Sequence, residues 1–241
     1  MARVAIIVPY RATPRQNREK ELKQFISHMT EFMSGTQFKI FIVEQAQDGR
    51  KFNRGKLLNV GFKIASKENF DSFIFHDVDL LPLGEAIGKY YKKVPTRPIH
   101  IGRAWGRYNG NKYFGGIIAF NEADFRKIDG FPNSFWGWGG EDDELGRRVV
   151  AHGLQVELPP RKLTEAIQDL EELSLQEKLF LLKKNKEWKC NNKWEVRDSL
   201  QKFREKKKPP GWGLKGVTYK VEARETLNES TVKIGVCITK D

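Results

Sequence analysis

Three short apolar, β-rich runs alternate with two helical patterns over the first 80 residues, and that alternation leaves few folds open. Residues 4–8 form the first run, closed by Pro9, and residues 38–43 and 70–75 form the next two. Between them Leu22, Phe25, Ile26, Met29 and Phe32 recur at helical spacing within residues 15–33, as do Leu57, Leu58, Val60 and Ile64 within residues 54–66. Parallel neighbouring strands need a crossover, and a crossover helix covers one face of the sheet. The order therefore predicts an α/β fold: a Rossmann-like, mostly parallel sheet flanked by helices. In such sheets ligands bind beyond the carboxyl ends of the strands. The loops after residue 8, after residue 75 and around 113–116 are expected to share one rim.

Further strands are expected at 99–101, 114–120 and 154–158, and helices at 121–128, capped by Asn121, and at 141–152. Residues 162–206 read as mostly helical, Pro209-Pro210-Gly211 stops them, and 217–223 with 231–238 suit a terminal hairpin. No internal repeat is visible. The best division is a single domain, with residues 1–160 as the core and 161–241 as a helical and β C-terminal elaboration. The 241 residues are 39% hydrophobic, enough to bury a sizeable core and too many for a disordered chain. No apolar run approaches the roughly 20 residues of a membrane span. The two cysteines, Cys190 and Cys237, read as free thiols in a reducing compartment, so a cytoplasmic setting is expected.

The formal charge of +12 calls for an anionic partner. Much of the excess lies in residues 183–208, which include KKNKEWK and KFREKKK. The ordinary reading is a solvated helix face and a basic loop, with weak association to an anionic surface as a further role. The block has no aromatic platform beyond Trp188 and Trp194, and the motif-bearing rim is acidic, so nucleic acid is not expected.

The chemistry-bearing residues fall on the expected rim. Asp77-Val78-Asp79 follows a buried strand directly, and alternation along an extended segment would aim both carboxylates the same way. Two such charges repel unless a cation lies between them, which implies a hard divalent ion with oxygen ligands or a nucleotide contact; the plain alternative is a loop with two solvated acids. Residues 136–140 read WGWGG. Each indole needs an N–H partner, and glycines let the backbone approach a ligand, although one Trp packing a turn would explain part of the motif. Glu141-Asp142-Asp143-Glu144 alone is ordinary helix-start chemistry. After the indole–glycine segment, a carboxylate there is placed to take a proton from a hydroxyl. Phe52-Asn53-Arg54 opens a helix, where a ring suits a base and a guanidinium suits phosphate. Pro9-Tyr10-Arg11 sits on the first rim loop with the same potential. There is no zinc-spaced Cys/His cluster and no P-loop in the sequence.

Taken in order, VPYR at 8–11, FNRGKLLNVGF at 52–62, FHDVDLLP at 75–82, YFGGIIAF at 113–120 and GFPNSFWGWGGEDDE at 130–144 resemble the β-1,4-galactosyltransferase family, and GLKGVTYKV at 213–221 resembles its C-terminal strand. The resemblance implies a GT-A fold, a UDP-sugar donor (UDP-galactose first, with UDP-GalNAc or UDP-glucose as alternatives), a glycan acceptor, Mn²⁺ or Mg²⁺, and inversion at the anomeric carbon. It implies a metal ligand at Asp79 and a ribose neighbour at Asp77. Uridine and phosphate contacts are implied at Pro9, Tyr10, Arg11, Phe52, Arg54 and Val78. Tyr113 would tune donor choice, Gly116 would be a donor contact, and Trp138 would close over the donor. Glu141 would hold the donor sugar, Asp142 would be the base and Asp143 would hold the acceptor. The alternative is a glycan- or nucleotide-sugar-binding protein with little turnover.

Two departures from the family pattern stand out. The histidine that completes the family's metal site is missing from RKLTEAIQDLEEL at 161–173, where Glu165, Gln168, Asp169, Glu171 and Glu172 are the substitutes available. Thr13 stands where the family's first motif has its second arginine, with Arg15 nearby. No counterpart of the family's disulfides or membrane anchor is expected.

Overall fold

The computed structural model describes residues 2–13, 17–105, 114–163, 165–185 and 212–239. Its first half follows the alternation read from the sequence: β1 (Arg3–Tyr10), α1 (Arg18–Phe32), β2 (Gln37–Gln45), α2 (Arg54–Ala65) and β3 (Ser72–His76). β1 pairs in parallel with both β2 and β3. The six-stranded sheet has the order β5-β3-β1-β2-β8-β7. β8 (Thr231–Ile238) lies parallel to β2, while β5 (Ile117–Phe120) and β7 (Tyr219–Asn228) run antiparallel to their neighbours at the two edges.

Side-chain alternation along β1 explains why both faces are covered. Ala5 and Ile7 belong to one core with Leu57, Leu58 and Phe62 of α2, Phe125 of α4 (Glu122–Lys127) and Leu145 and Val149 of α5 (Glu141–Ala151). Val4, Ile6 and Val8 belong to the opposite core with Phe25 and Met29 of α1 and Ile87 and Tyr91 of α3 (Glu85–Tyr91). Phe75 stacks on Phe125 with centroids 4.4 Å apart, which ties the strand that leads into the acid pair to a helix below it. Asn121 caps α4 as expected, accepting from the Asp124 N–H at 2.8 Å.

The structure corrects four local readings. Residue 99 makes only isolated bridges and leads into a 3₁₀ turn at Ile101–Ala104, and the 154–158 strand reduces to one bridge at Glu157. Helix α3 was not anticipated. The helical reading of 162–206 fails at its start, where β6 (Ile167–Asp169) pairs antiparallel with β4 (Leu80–Pro82). Helix α6 (Leu175–Lys184) then begins at a Ser174–Glu177 capping box. Residues 186–211, with Cys190 and most of the basic 183–208 block, lie outside the described residues. Among the described residues no helix is long and apolar enough to cross a membrane.

A buried polar frame holds the segment that leads to the indoles. Asn59 of α2 accepts from the Phe131 N–H at 2.9 Å and donates to the Phe131 carbonyl at 2.8 Å and to Asn133 at 2.9 Å. Asn53 donates to the Asn133 carbonyl, and Asn133 donates to the Gly213 carbonyl. Arg148, 1% exposed, donates to the carbonyls of Asp129, Gly130 and Trp212 and pairs with Glu144. Removing it would strand those acceptors beside a buried carboxylate. Arg148→Met is expected to lower the unfolding free energy by about 3–5 kcal/mol in urea titrations; a loss under about 1 kcal/mol would show that the frame re-pairs without it.

Candidate active site

One guanidinium joins the two acidic motifs. Asn53 caps α2 through the Lys56 N–H, which fixes Arg54 at the first helical position. From there Arg54 Nε donates to Asp77 Oδ1 at 2.7 Å, Nη1 donates to Asp142 Oδ1 at 2.7 Å, and Nη1 lies 3.5 Å from Glu141 Oε1. Asp77, at the end of β3, also donates its N–H to the Gly116 carbonyl, so the loop after β3 and the loop before β5 meet on one rim. Gly140 opens α5 in the left-handed region, at φ 99°, which turns Glu141 and Asp142 inward. Gly115 faces Asp142 so closely that a Cβ there would lie 2.1 Å from Asp142 Oδ2, which leaves room only for glycine.

Three carboxylates, Glu141 buried and Asp77 and Asp142 half-buried, share one cation and too little positive charge. Burial raises the proton affinity of Asp142 well above the ordinary carboxylate range; Arg54 opposes this, and Glu141 and Asp77 add to it. Burial likewise raises Asp77 and Glu141 against the pull of Arg54. Glu141 Oε2 is buried and has no hydrogen-bond partner among the described residues. A carboxylate with raised proton affinity beside an unfilled acceptor suits proton removal from a hydroxyl of a polar guest.

His76 is structural. Its Nδ1 lies 2.8 Å from the Asp77 carbonyl, which can only accept, so Nδ1 carries the hydrogen and Nε2 accepts from the Tyr91 hydroxyl. Burial lowers its pKa to about 4.

The expectation that Asp77 and Asp79 point at one shared ion is not met. Residues 78–79 form a turn between β3 and β4, and the two carboxylates take different partners. Asp79 instead belongs to a second cluster. The β4–β6 ladder pairs Leu80 with Asp169, and the Leu170 N–H donates to the Asp79 carbonyl at 2.7 Å. Carboxylate oxygens of Asp79, Asp169 and Glu171 then lie within 4.8 Å of one another. Of the five substitutes considered for the missing histidine, these are the two that converge on Asp79; Glu165, Gln168 and Glu172 are exposed. Arg18 Nη1 donates to Asp79 at 3.0 Å and to Glu21 at 2.7 Å, its Nη2 donates to Glu171 at 2.6 Å, and Lys178 donates to the other Glu171 oxygen. Burial disfavours the charges of Arg18 and Lys178, but Asp79 and Glu171 outweigh it and raise both pKa values. Asp79, in spite of burial, is lowered by Arg18 and then Lys178.

The first rim loop lies next to the α2 start. Arg11 sits 5.5 Å over the Phe52 ring and donates to the Arg50 carbonyl. Pro9 and Tyr10 end β1 in register with Val43 and Glu44, and Val78 is buried. Burial, and next Glu44, push Tyr10 up to about 12. The two indoles divide as the packed-turn reading allowed for one of them. Trp136 is buried, with Arg50 5.9 Å over its ring, whereas Trp138 is 39% exposed and Asp143 faces solvent. Tyr113 and Arg15 lie outside the described residues. Arg18, Glu21 and Lys178 were missed by the sequence reading. Arg18 lay three residues beyond the arginine considered, inside an ordinary charged helix start.

Comparison with known proteins shows the family and the fold. Residues 1–91 match the family model for the N-terminal region of glycosyl transferase group 7, and residues 98–171 match the model described as the N-terminal domain of galactosyltransferase. Human β-1,4-galactosyltransferase 4 is 43% identical over 166 residues, 66% of this chain and 46% of that protein. Human β-1,4-galactosyltransferase 3 is 40% identical over 166 residues, 66% of this chain and 40% of that protein. The chain belongs to the β-1,4-galactosyltransferase family. It spans about half the length of the relatives it matches. A variant of Drosophila β-1,4-galactosyltransferase 7, solved with manganese, UDP-Gal and xylobiose, superposes with a TM-score of 0.76 at 28% identity, over 100% of this chain and 96% of that one. A second structure of that fly enzyme, with xylobiose, gives 0.72 at 27% identity, over 100% of this chain and 96% of that one. The fold is accordingly GT-A. Where the sequence lacks the expected histidine, β6 and the turn after it bring Asp169 and Glu171 to Asp79.

The linkage sign follows from the raised carboxylates. A carboxyl group whose folded pKa is raised binds more protons in the native state, so it costs stability as pH rises from the ordinary carboxylate range through the folded pKa. Asp142→Asn removes one such group and leaves Arg54 paired with Asp77 and Glu141. The variant is expected to melt higher than the parent at neutral pH, with the gap closing as pH falls to about 4. An equal or lower Tm at pH 7 would show that Arg54 holds Asp142 ionised without strain.

Proposed function

We propose that the protein is an inverting glycosyltransferase that moves galactose from UDP-galactose to a hydroxyl of a glycan. The observation that carries this reading is the Arg54 fork, which brings Asp142 and Asp77 to one guanidinium. Arg11 and Phe52, already paired, provide a cation and a ring for phosphate and uracil, with Pro9, Tyr10 and Val78 as further donor contacts. Asp77 faces the ribose, and Asp79 begins the metal site. Tyr113 tunes donor choice, and Gly116 is a donor contact. Trp138, exposed at the rim, is free to lie over the bound sugar, and Glu141 Oε2 receives a hydroxyl of it.

The remaining step is a proton transfer. Asp142 takes the acceptor hydroxyl proton as that oxygen attacks the anomeric carbon, and Asp143 steadies the acceptor. The new glycosidic bond forms on the face opposite the breaking bond to UDP, so configuration inverts. The raised proton affinity of Asp142 makes it a stronger base near neutral pH. The donor set Asp79, Asp169 and Glu171 fits a hard divalent ion, Mn²⁺ or Mg²⁺, in a site built wholly of oxygens. Such an ion, when bound, neutralises the diphosphate and improves the leaving group.

Asp142→Asn is expected to reduce transfer about 10² to 10⁴ fold with donor binding retained, read as UDP release with and without acceptor. The fly neighbour's xylobiose makes a β-xyloside the first acceptor to try. Turnover near that of the parent would remove Asp142 from the role. EDTA is expected to abolish transfer, and Mn²⁺ or Mg²⁺ to restore it; undiminished transfer in EDTA would exclude the metal. A second reading, a nucleotide-sugar-binding protein of low turnover, draws on one observation: Arg18 and Lys178 lie among the metal carboxylates. Tight UDP-galactose binding with no transfer to any acceptor would favour it.

A further inference from the structure

The carboxylates that fit a divalent ion are not waiting open for one. Glu171 gives one oxygen to Arg18 and the other to Lys178. Asp79 Oδ2 accepts from Arg18, and Asp169 Oδ1 accepts from the Glu171 N–H at 3.0 Å. Of the six carboxylate oxygens in the triad, at least four are thus already engaged, three of them by side-chain cations.

Charge sharpens the point. With Glu21 included, four carboxylates face two cations, which leaves two negative charges, enough to attract a divalent ion. Geometry opposes what charge favours, because Arg18 holds Asp79 and Glu171 at once and a metal bound to both would stand against its guanidinium. Arg18 is anchored by Glu21 one turn along α1, so it has an alternative carboxylate when it releases the other two. An arriving diphosphate offers it a further anion.

We infer that Arg18, assisted by Lys178, is a resident counter-ion of the metal carboxylates that yields only when a divalent cation and a nucleoside diphosphate arrive together. The inference rests on the donor-binding reading above. The free protein accordingly holds its ligand set assembled and partly neutralised, binds a bare cation weakly, and binds it well only with nucleotide present. Arg18 acts as a positioning residue, keeping Asp79 and Glu171 together between turnovers.

The test is Mn²⁺ binding followed by electron paramagnetic resonance of the free ion, on the full chain, with no turnover involved. Parent protein, Arg18→Gln and Lys178→Gln are titrated with Mn²⁺ alone and with saturating UDP, and protein-free Mn²⁺–UDP mixtures supply the correction. In the parent, UDP is expected to tighten Mn²⁺ binding on the order of tenfold or more. In Arg18→Gln, Mn²⁺ alone binds on the order of tenfold tighter than in the parent, and the enhancement by UDP shrinks. Lys178→Gln, at the edge of the cluster, moves the same way by less, and it tests the idea independently if loss of Arg18 prevents folding. Unchanged or weaker Mn²⁺ binding by both variants, or an undiminished UDP effect, overturns the counter-ion role. UDP binding by calorimetry tells the two failures apart: if UDP binds and the variants change nothing, only this inference falls, whereas if UDP does not bind the parent at any cation concentration, the donor-binding reading falls with it.

Discussion

The ion pairs that radiate from Arg54 are the constraint on which the site depends. One side chain, fixed by a capped helix start, reaches the acid at the end of β3 and the acids at the start of α5. These segments are more than sixty residues apart in sequence, so nothing local would hold them together. Without the guanidinium the three carboxylates, one buried and two half-buried, would repel one another. With it they remain close but under-neutralised, a state that stores chemical readiness at some expense in stability.

The second cluster repeats the theme with different parts. Asp77 and Asp79 stand two residues apart, yet a turn sends one to Arg54 and the other to Arg18. A family motif usually read as one unit thus serves two neighbouring charge networks. The β4–β6 ribbon supplies the second network's carboxylates, and its register, with Leu80 opposite Asp169, brings them to Asp79. The six-stranded sheet takes no part in that ribbon, so ligand chemistry can vary there without disturbing the sheet.

Much of this was legible in the sequence because its causes are local. The β-branched run of β1, the helical spacing of α2 and the Asn121 cap each follow from short-range patterns, and the rim followed from strand order. The motifs at 75–82 and 130–144 were also legible, since their composition is unusual for a core. What escaped is tertiary. Ala166, Ile167, Leu170 and Leu173 have a spacing that suits a helix, but pairing with β4 overrides it. Arg18 looks like any charged residue at a helix start, and only the fold brings it to Asp79. Lys178 sits on a helix whose position depends on β6.

The placement of β8 has a consequence for how the molecule comes into being. It lies inside the sheet, between β2 and β7, although β2 ends at Gln45 and β8 starts at Thr231. During synthesis the edge of β2 must remain unpaired, or be shielded by a chaperone, until residue 238 has cleared the ribosome. Lys56, on the same helix that carries Arg54, would wait equally long for the contact its amine makes with the Thr239 carbonyl. The helix that organises the site is thus secured from both sides only after nearly all of the chain described here has been made.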